Sequence, residues 1–216
     1  MKYRAVIFDM DGTLLNTLED LRDSLNYALE KKGYPGRTLD EVRSFLGNGA
    51  RVLLERATPE NISKEDFNET YEIYSEYYLE HCRIKTRPYD GVMELLKKLS
   101  ENGYKLAIVS NKGQDAVSEL SKLYFGDYVE TAIGENEKAG IKKKPAPDTV
   151  FKALEILGCK ASEAVYVGDS EVDRKTAENS GMDCISVTWG FRDRELLEEL
   201  KPYAIVDEPV QILEFV

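Results

Sequence analysis

The stretch that decides the fold class lies near the start of the chain and reads Ala5-Val6-Ile7-Phe8-Asp9-Met10-Asp11-Gly12-Thr13. Its apolar run stops at an aspartate, which makes it too short for the core of a secretory signal and predicts a buried strand. A strand that is apolar at successive positions fits a parallel sheet covered on both faces. Ligands bind at the carboxyl ends of such strands, so Asp9 and Asp11 are candidate functional residues.

Further apolar runs follow, and helical patterns separate most of them. The runs are residues 104–109, 128–133, 164–167, 184–187 and 203–206. The helical patterns are residues 92–99, 116–124, 149–157 and 174–179. Because alternating strands and helices need crossover connections, this order predicts an α/β fold with a doubly wound, Rossmann-like parallel sheet.

Residues 17–86 break the alternation, since they show helical periodicity and no strand pattern. The leucines that share one helical face are Leu18, Leu21, Leu25 and Leu29. The tyrosines at helical spacing, which we interpret as core of the segment, are Tyr71, Tyr74 and Tyr78. The return through Pro88 and Asp90-Gly91 carries turn signals typical of a hinge. We predict a helical insert at 17–86, placed after the first strand of a core formed by residues 1–16 and 87–216.

The composition excludes several classes of function. The 216-residue chain has a formal net charge of −11, which repels nucleic acid and anionic membranes. No stretch approaches the ~18 uninterrupted apolar residues of a membrane span. Cys82, Cys159 and Cys184 lack metal-like spacing and fit buried thiols in a reducing compartment. We therefore predict a cytoplasmic protein without a nucleic-acid or membrane partner, in which local cations must hold any anionic substrate.

Polar residues follow four of the apolar runs. These are Asp9 and Asp11, then Ser110-Asn111-Lys112, then Lys142-Lys143-Lys144-Pro145, and finally Gly168-Asp169 with Asp173. Carboxylates gathered at one sheet edge would repel one another, and a hard dication such as Mg²⁺ with oxygen ligands would remove that cost. A lysine and a hydroxyl nearby suit phosphate oxygens. The set predicts an oxyanion held between a dication and an ammonium.

The motifs Ile7-Phe8-Asp9-Met10-Asp11-Gly12-Thr13-Leu14, Ser110-Asn111, Lys144-Pro145 and Gly168-Asp169-(x)₃-Asp173 resemble the four motifs of the haloacid dehalogenase-like superfamily. They occur in the family's order and span nearly the whole chain, and the helical insert looks like the family's small mobile cap domain. The resemblance implies that Asp9 is a nucleophile that forms an aspartyl-phosphate. It also implies that Asp11 is the general acid and base.

The same resemblance implies roles for the other motif residues. Thr13 would orient the loop, Ser110 and Asn111 would bind the transferring phosphoryl group, and Lys144 would neutralise its charge. Mg²⁺ would bind the carboxylates of Asp9 and Asp169 and the backbone carbonyl of Asp11. Asp173 would support the ion as a ligand or through another ligand.

Each motif also has a purely structural interpretation. Asp11-Gly12 could form only a tight turn, although residues 14–29 have the pattern of a helix and not of a partner strand. Ser110 could cap a helix, and Lys144 could belong to a solvated lysine run. Asp173 could simply favour a helix N-terminus.

Residues 43–49, Arg-Ser-Phe-Leu-Gly-Asn-Gly, resemble the cap loop of phosphoglycolate phosphatase-like members. Gly47, Asn48 and Gly49 could present backbone N–H groups to a second anionic group, or could merely separate two helices. The favoured function is Mg²⁺-dependent hydrolysis of a small phosphate monoester, 2-phosphoglycolate first, by a monomer or weak homodimer. The alternatives are an inorganic pyrophosphatase, a broad sugar-phosphate or nucleotide phosphatase, a β-phosphoglucomutase-like isomerase and a binding protein without activity.

Overall fold

The computed structural model describes residues 2–136 and 140–216, and its centre is a six-stranded sheet in the order β5-β4-β1-β6-β7-β8. The strands are β1 (Ala5–Phe8), β4 (Lys105–Gly113), β5 (Thr131–Glu135), β6 (Ala164–Gly168), β7 (Asp183–Val187) and β8 (Ala204–Val206). Every neighbouring pair is parallel. Strand order reverses beside β1, which is the position where such sheets bind ligands. The predicted Rossmann-like fold is confirmed.

Helices cover both faces of the sheet, and β1 supplies side chains to both. The helices of this part are α5 (Val92–Glu101), α6 (Gln114–Phe125), α7 (Asp148–Leu157), α8 (Glu171–Ser180) and α9 (Arg194–Glu199). Val6 and Phe8 belong to one apolar cluster, whereas Ala5 and Ile7 belong to a second one. Because successive side chains of a strand point to opposite faces, this division explains why all four positions are apolar.

Four helices lie between the first strand and the rest of the sheet. They are α1 (Leu18–Lys31), α2 (Leu39–Phe45), α3 (Ala50–Ala57) and α4 (Lys64–His81). Leu21, Leu25 and Leu29 of α1 are buried, as their spacing predicts. A capping box formed by Thr38 and Glu41 starts α2. Within the two described ranges, no helix is both long and apolar enough to cross a membrane.

A short antiparallel ribbon joins this helical segment to the sheet, and the sequence did not predict it. Strand β2 (Leu15–Asn16) pairs with β3 (Arg87–Pro88), so the expectation that the helix begins at residue 14 is wrong. The reason is local, because the Gly12 N–H binds the carbonyl of Leu15 and turns the chain before the helix starts. The buried carboxylate of Asp20 accepts the N–H groups of Lys85 and Thr86 at 2.8–3.0 Å, which fastens the returning chain to α1.

Candidate active site

Three buried carboxylates meet at the carboxyl edge of the sheet. Asp9 follows β1, Asp169 follows β6, and Asp173 lies in the first turn of α8. One oxygen of each lies within 4.8 Å of the others, and the three residues are 7%, 2% and 1% exposed. The topology explains the meeting, because β1 and β6 are neighbours in the sheet and end at the same edge.

Lys144 is the cation of this cluster. Its ammonium lies 2.7 Å from Asp9 Oδ1 and 2.8 Å from Asp173 Oδ1, and it donates to the Tyr166 hydroxyl at 3.1 Å. Tyr166 in turn donates to Asp173 Oδ1 at 3.0 Å. The second oxygen, Asp173 Oδ2, accepts from the N–H and the hydroxyl of Ser170. Asp173 therefore contacts Lys144 and also completes the capping box of α8, and its role in the site stays a prediction.

The charges of the cluster do not balance, and the pKa values reflect this. Burial raises the pKa of Asp9 well above its usual value, and the neighbouring Asp173 raises it further, while Lys144 opposes the rise. Burial and then Asp173 raise the pKa of Asp169 to about 7, against the hydrogen bond from the Phe191 N–H. For Lys144, burial lowers the pKa, but Asp173 and Asp9 more than offset it and the pKa is raised.

The donor set fits a magnesium ion. The Lys144 ammonium pairs with only two of the three carboxylates, so a dication would restore the balance with the oxygen ligands that Mg²⁺ prefers. Asp9 and Asp169 carry the more available oxygens, since the two oxygens of Asp173 each accept two hydrogen bonds or ion-pair contacts. Asp9 and Asp169 are thus the ligands that the geometry favours, and Asp173 holds its neighbours in place. The side chain of Asp11 is not in the cluster.

Two glycines let the chain approach Asp169 closely. A Cβ at Gly12 would collide with the Asp169 carboxylate, and Gly12 has φ +86°, which favours glycine for a second reason. A Cβ at Gly190 would collide with the side chain of Asp169 and, at 2.5 Å, with the carbonyl of Gly12. These two close contacts explain why position 190 is a glycine, which the four motifs did not predict. Trp189 fastens the same loop by donating its indole N–H to the Thr13 carbonyl at 3.0 Å.

The Asp11 side chain lies outside the carboxylate cluster and has its own partners. Its Oδ1 accepts from the Thr17 hydroxyl at 2.7 Å and lies 3.1 Å from the Lys112 ammonium. Thr13 is buried, with its hydroxyl 3.5 Å from Asp169 Oδ1. Asp9 and Asp11 therefore point to two different parts of one site.

Asn111 connects several parts of the site through its side chain. Its amide oxygen accepts the Lys144 N–H at 2.8 Å, and its amide nitrogen donates to the carbonyls of Lys144 and Gly47. Ser110 Oγ accepts the Lys112 N–H, and α6 begins only at Gln114 after Gly113, so Ser110 is not its cap. The loop at 47–49 thus reaches the strand ends.

A Cβ at Gly49 would lie 3.0 Å from the Asn111 carbonyl, so this loop is in close contact with the end of β4. Gly49 precedes the first residue of α3 with φ +84°, and Asn48 is half-buried beside it. The guanidinium of Arg192 holds the loop from the other side, because it donates to the Leu46 carbonyl at 2.8 Å and pairs with Glu171.

A cavity of about 340 Å³ opens over these residues. Asp9, Asp11, Lys144 and Asp169 line it together with side chains of α3 and α4. The residues from the helices are mainly apolar or aromatic: Ala50, Leu53, Tyr71, Tyr74, Tyr78 and Leu79. The tyrosines were predicted as core of the helical segment, and Tyr74 and Tyr78 are indeed buried while also bordering the cavity.

Three functional candidates were not predicted from the sequence. Lys112 directly follows the Ser110-Asn111 motif, and its place at a strand end is a signal that could have found it. Tyr166 carries a hydroxyl within the otherwise apolar β6, which marks a polar contact inside the sheet. Arg192 has no such signal, because only the folded chain brings it to the loop at 47–49.

Comparison with known proteins places this arrangement in a family. The sequence model of the haloacid dehalogenase-like hydrolases matches residues 6–187. The phosphoglycolate phosphatase of Aquifex aeolicus (strain VF5) is 34% identical over 194 residues, which cover 87% of this chain and 86% of that protein. The phosphoglycolate phosphatase of Vibrio parahaemolyticus is 30% identical over 220 residues, with coverage of 99% and 96%.

A crystal structure shows the same likeness in three dimensions. It is that of a Lactobacillus delbrueckii subsp. bulgaricus protein provisionally named a phosphoglycolate phosphatase. The two chains are 39% identical and superpose with a TM-score of 0.94, over 100% of this chain and 98% of that one. The resemblance that the four motifs predicted, including its phosphoglycolate phosphatase-like branch, is confirmed.

Proposed function

Because the chain belongs to the haloacid dehalogenase-like hydrolase family, we propose that it is a Mg²⁺-dependent phosphatase that hydrolyses a small phosphate monoester through a phosphoryl group carried on Asp9. The observation that carries the proposal is the meeting of three buried carboxylates with Lys144 beside a cavity that Asp9, Lys144 and Asp169 line. The names of the similar bacterial proteins make 2-phosphoglycolate the favoured substrate. The chain's strongly negative charge supports a small-molecule substrate over nucleic acid.

In the first half-reaction a carboxylate oxygen of Asp9 forms a bond to phosphorus, and the bond from phosphorus to the ester oxygen breaks. Asp11 donates a proton to the departing oxygen. The Ser110 hydroxyl and the backbone N–H of Asn111 bind the phosphoryl oxygens. Lys144, 2.7 Å from Asp9, offsets the charge that develops between nucleophile and phosphorus.

In the second half-reaction Asp11, now a carboxylate, takes a proton from a water molecule that attacks phosphorus. The bond between Asp9 and phosphorus breaks, and inorganic phosphate leaves with Asp9 restored. Thr17 holds Asp11 Oδ1 by a 2.7 Å hydrogen bond, which keeps the acid aimed at the cavity in both steps. Thr13 stabilises the loop between the two aspartates.

Asp9 and Asp169, with the Asp11 carbonyl, would hold Mg²⁺ in this site. When bound, the ion would supply charge neutralisation for the carboxylates and the phosphoryl oxygens. Asp173 would keep Lys144 in place beside it through the 2.8 Å contact. The glycines at positions 12 and 190 leave room for Asp169 to take this position.

We also propose the division of the chain into a catalytic core of residues 1–16 and 87–216 and a cap of residues 17–86. The ribbon of β2 and β3 is the support for these boundaries, because the chain leaves and re-enters the core there side by side. The loop at 47–49 would provide backbone N–H groups for the end of the substrate that is not transferred. We also propose that the protein acts in the cytoplasm as a monomer or weak homodimer.

The test of the function is phosphate release from a substrate panel. We expect hydrolysis of 2-phosphoglycolate with Mg²⁺ and a loss of at least about 10²-fold when EDTA removes the ion, because its charge neutralisation is lost. The panel also contains pyrophosphate, glucose 6-phosphate, a nucleoside monophosphate and β-glucose 1-phosphate. Larger esters are included because the cavity of about 340 Å³ is within the size range of ordinary ligand sites.

The panel separates the competing functions. A preference for pyrophosphate would identify a pyrophosphatase, and formation of glucose 6-phosphate from β-glucose 1-phosphate would identify a mutase. If no phosphate appears from any compound at saturating Mg²⁺, the proposed phosphatase is wrong.

The metal ligands are tested without turnover by thermal unfolding. We expect Mg²⁺ to raise the unfolding midpoint of the wild-type protein, because an ion that binds only the folded chain stabilises it. Asp169→Asn should lose most of this rise, whereas Asp127→Asn, at an exposed position in the turn after α6, should keep it. An Asp169→Asn protein with the full Mg²⁺-induced rise would remove Asp169 from the ligand set.

A further inference from the structure

Lys112 is a buried cation on the wall of the cavity, beyond Asp11. It is 8% exposed and lies at the end of β4. Its ammonium donates to the Tyr78 hydroxyl at 2.5 Å and lies 3.1 Å from Asp11 Oδ1. It also lies 4.3 Å from the centre of the Tyr78 ring. Since Tyr78 belongs to α4, this contact joins the strand ends to the helical segment across the cavity wall.

Of the described residues, two other cations line the cavity, and both are already paired with carboxylates. Lys144 contacts the two carboxylates of Asp9 and Asp173 at 2.7 and 2.8 Å. Arg192 pairs with Glu171 and binds a backbone carbonyl. For Lys112, the single carboxylate within ion-pair distance in the described part of the chain is Asp11. Three N–H groups on its ammonium therefore meet two acceptors among the described residues, which leaves one N–H for a ligand.

Lys144 and Lys112 lie beside different catalytic aspartates, so they would face different ends of a bound substrate. Lys144 lies beside the nucleophile, so it faces the phosphoryl end. Lys112 lies beside the acid that would protonate the ester oxygen, so it faces the leaving group. Burial raises the pKa of Tyr78, so the phenol stays neutral and accepts the ammonium N–H without competing for its charge.

The surroundings of Lys112 strengthen its attraction for an anion. The cavity wall contains apolar and aromatic side chains such as Leu53 and Tyr74, alongside the polar side chains of Ser75, Glu76, Gln114 and Asp115. Charges interact more strongly where few polar groups and little water screen them. An acidic group on the leaving group would gain from this cation, and a neutral group of the same shape would leave the ammonium N–H without a partner.

We propose that Lys112, held by Tyr78, is a specificity-determining residue that selects esters whose leaving group carries a carboxylate next to the ester carbon. This inference rests on the proposed phosphatase function and deepens it, because it names the chemical class of the leaving group. The carboxylate accepts the third N–H of Lys112 while Asp11 keeps its own contact. Tyr78 fixes the ammonium on the leaving-group side of Asp11.

The experiment compares 2-phosphoglycolate with 2-phosphoglycolamide, its neutral amide of nearly equal shape. We expect the wild-type protein to have a higher kcat/KM for the acid. In Lys112→Met and Lys112→Gln, the ratio of kcat/KM for acid over amide should fall by about tenfold or more, the usual scale for a hydrogen bond to a charged group. Lys112→Arg should restore most of the ratio, and Tyr78→Phe should lower it. Lys122→Met, at an exposed position on α6, is the matched control and should keep the wild-type ratio.

Three outcomes overturn the proposal, and they are distinguishable from one another. Equal efficiency of the wild-type protein on acid and amide means that no selection exists, while the phosphatase function stands; this comparison needs no variant to fold. If Lys112→Met lowers kcat/KM equally for both esters, Lys112 acts through Asp11 and does not recognise the leaving group. If the wild-type protein with Mg²⁺ hydrolyses neither ester nor any compound of the panel, the proposed function fails and the inference fails with it.

Discussion

Replacing Asp9 with asparagine is expected to lower kcat for the best substrate of the panel by at least about 10⁴-fold, because an amide at this position cannot form the bond to phosphorus. The fold should persist. The amide has nearly the size of the carboxylate and removes one of three buried negative charges, and Lys144 keeps Asp173 as a partner at 2.8 Å. We expect the unfolding midpoint in EDTA to stay within about 3 °C of wild type.

Two measurements make this prediction specific to a covalent mechanism. Phosphate release gives kcat, and acid quenching with substrate labelled in the phosphoryl group reports label bound to the wild-type protein but not to Asp9→Asn. Asp127→Asn, at an exposed position, should match wild type in both measurements. An Asp9→Asn protein that keeps activity within tenfold of wild type, or that still binds label, would refute Asp9 as the nucleophile.

The sheet and its functional edge could be predicted from the sequence because both depend on local pattern. Residues 5–8 are apolar at four successive positions, which fits a short strand buried on both faces. Once the sheet is parallel, the residues that follow its strands must share one edge. Asp9 and Asp169 follow neighbouring strands, so their proximity results from the order of β1 and β6. No knowledge of side-chain packing was needed.

What the sequence could not supply are the contacts that depend on packing between distant elements. Lys112 and Tyr78 meet because α4 lies against the end of β4, and neither residue carries a pattern that names the other. The hydrogen bonds of Tyr166 to Lys144 and Asp173 depend likewise on how α8 packs against β6. The strands β2 and β3 are only two residues long each, which is too short for an alternating apolar pattern to be seen.

Lys144 belongs to a run of three lysines, and its burial depends partly on local sequence and partly on contacts made in the fold. The neighbouring proline favoured Lys144, and in the fold its ammonium is buried against Asp9 and Asp173. Sequence alone offered no way to see that Lys142 is exposed while Lys144 is 3% exposed. The distinction arises because the Asn111 side chain binds the backbone of Lys144 and turns it inward.

Replacing Lys144 with methionine is expected to have a double effect, on stability and on rate. Met fills a similar volume but leaves the buried carboxylates of Asp9 and Asp173 without their cation. Removing one partner of a buried ion pair costs about 3–5 kcal/mol in the free energy of unfolding, and we expect a loss of this size in EDTA at neutral pH. The rate should fall by about 10²- to 10³-fold, as when one group that stabilises transition-state charge is lost.

Urea denaturation and phosphate release measure the two losses, and Lys142→Met is the control because it makes the same substitution two residues away at an exposed position. Saturating Mg²⁺ should recover part of the stability of Lys144→Met, since a dication also offsets the carboxylate repulsion. It should not recover the rate, because the ammonium that faces the phosphoryl end is gone. If Lys144→Met unfolds like wild type in EDTA, or if Lys142→Met loses as much activity, then Lys144 does not hold the charge balance of this site.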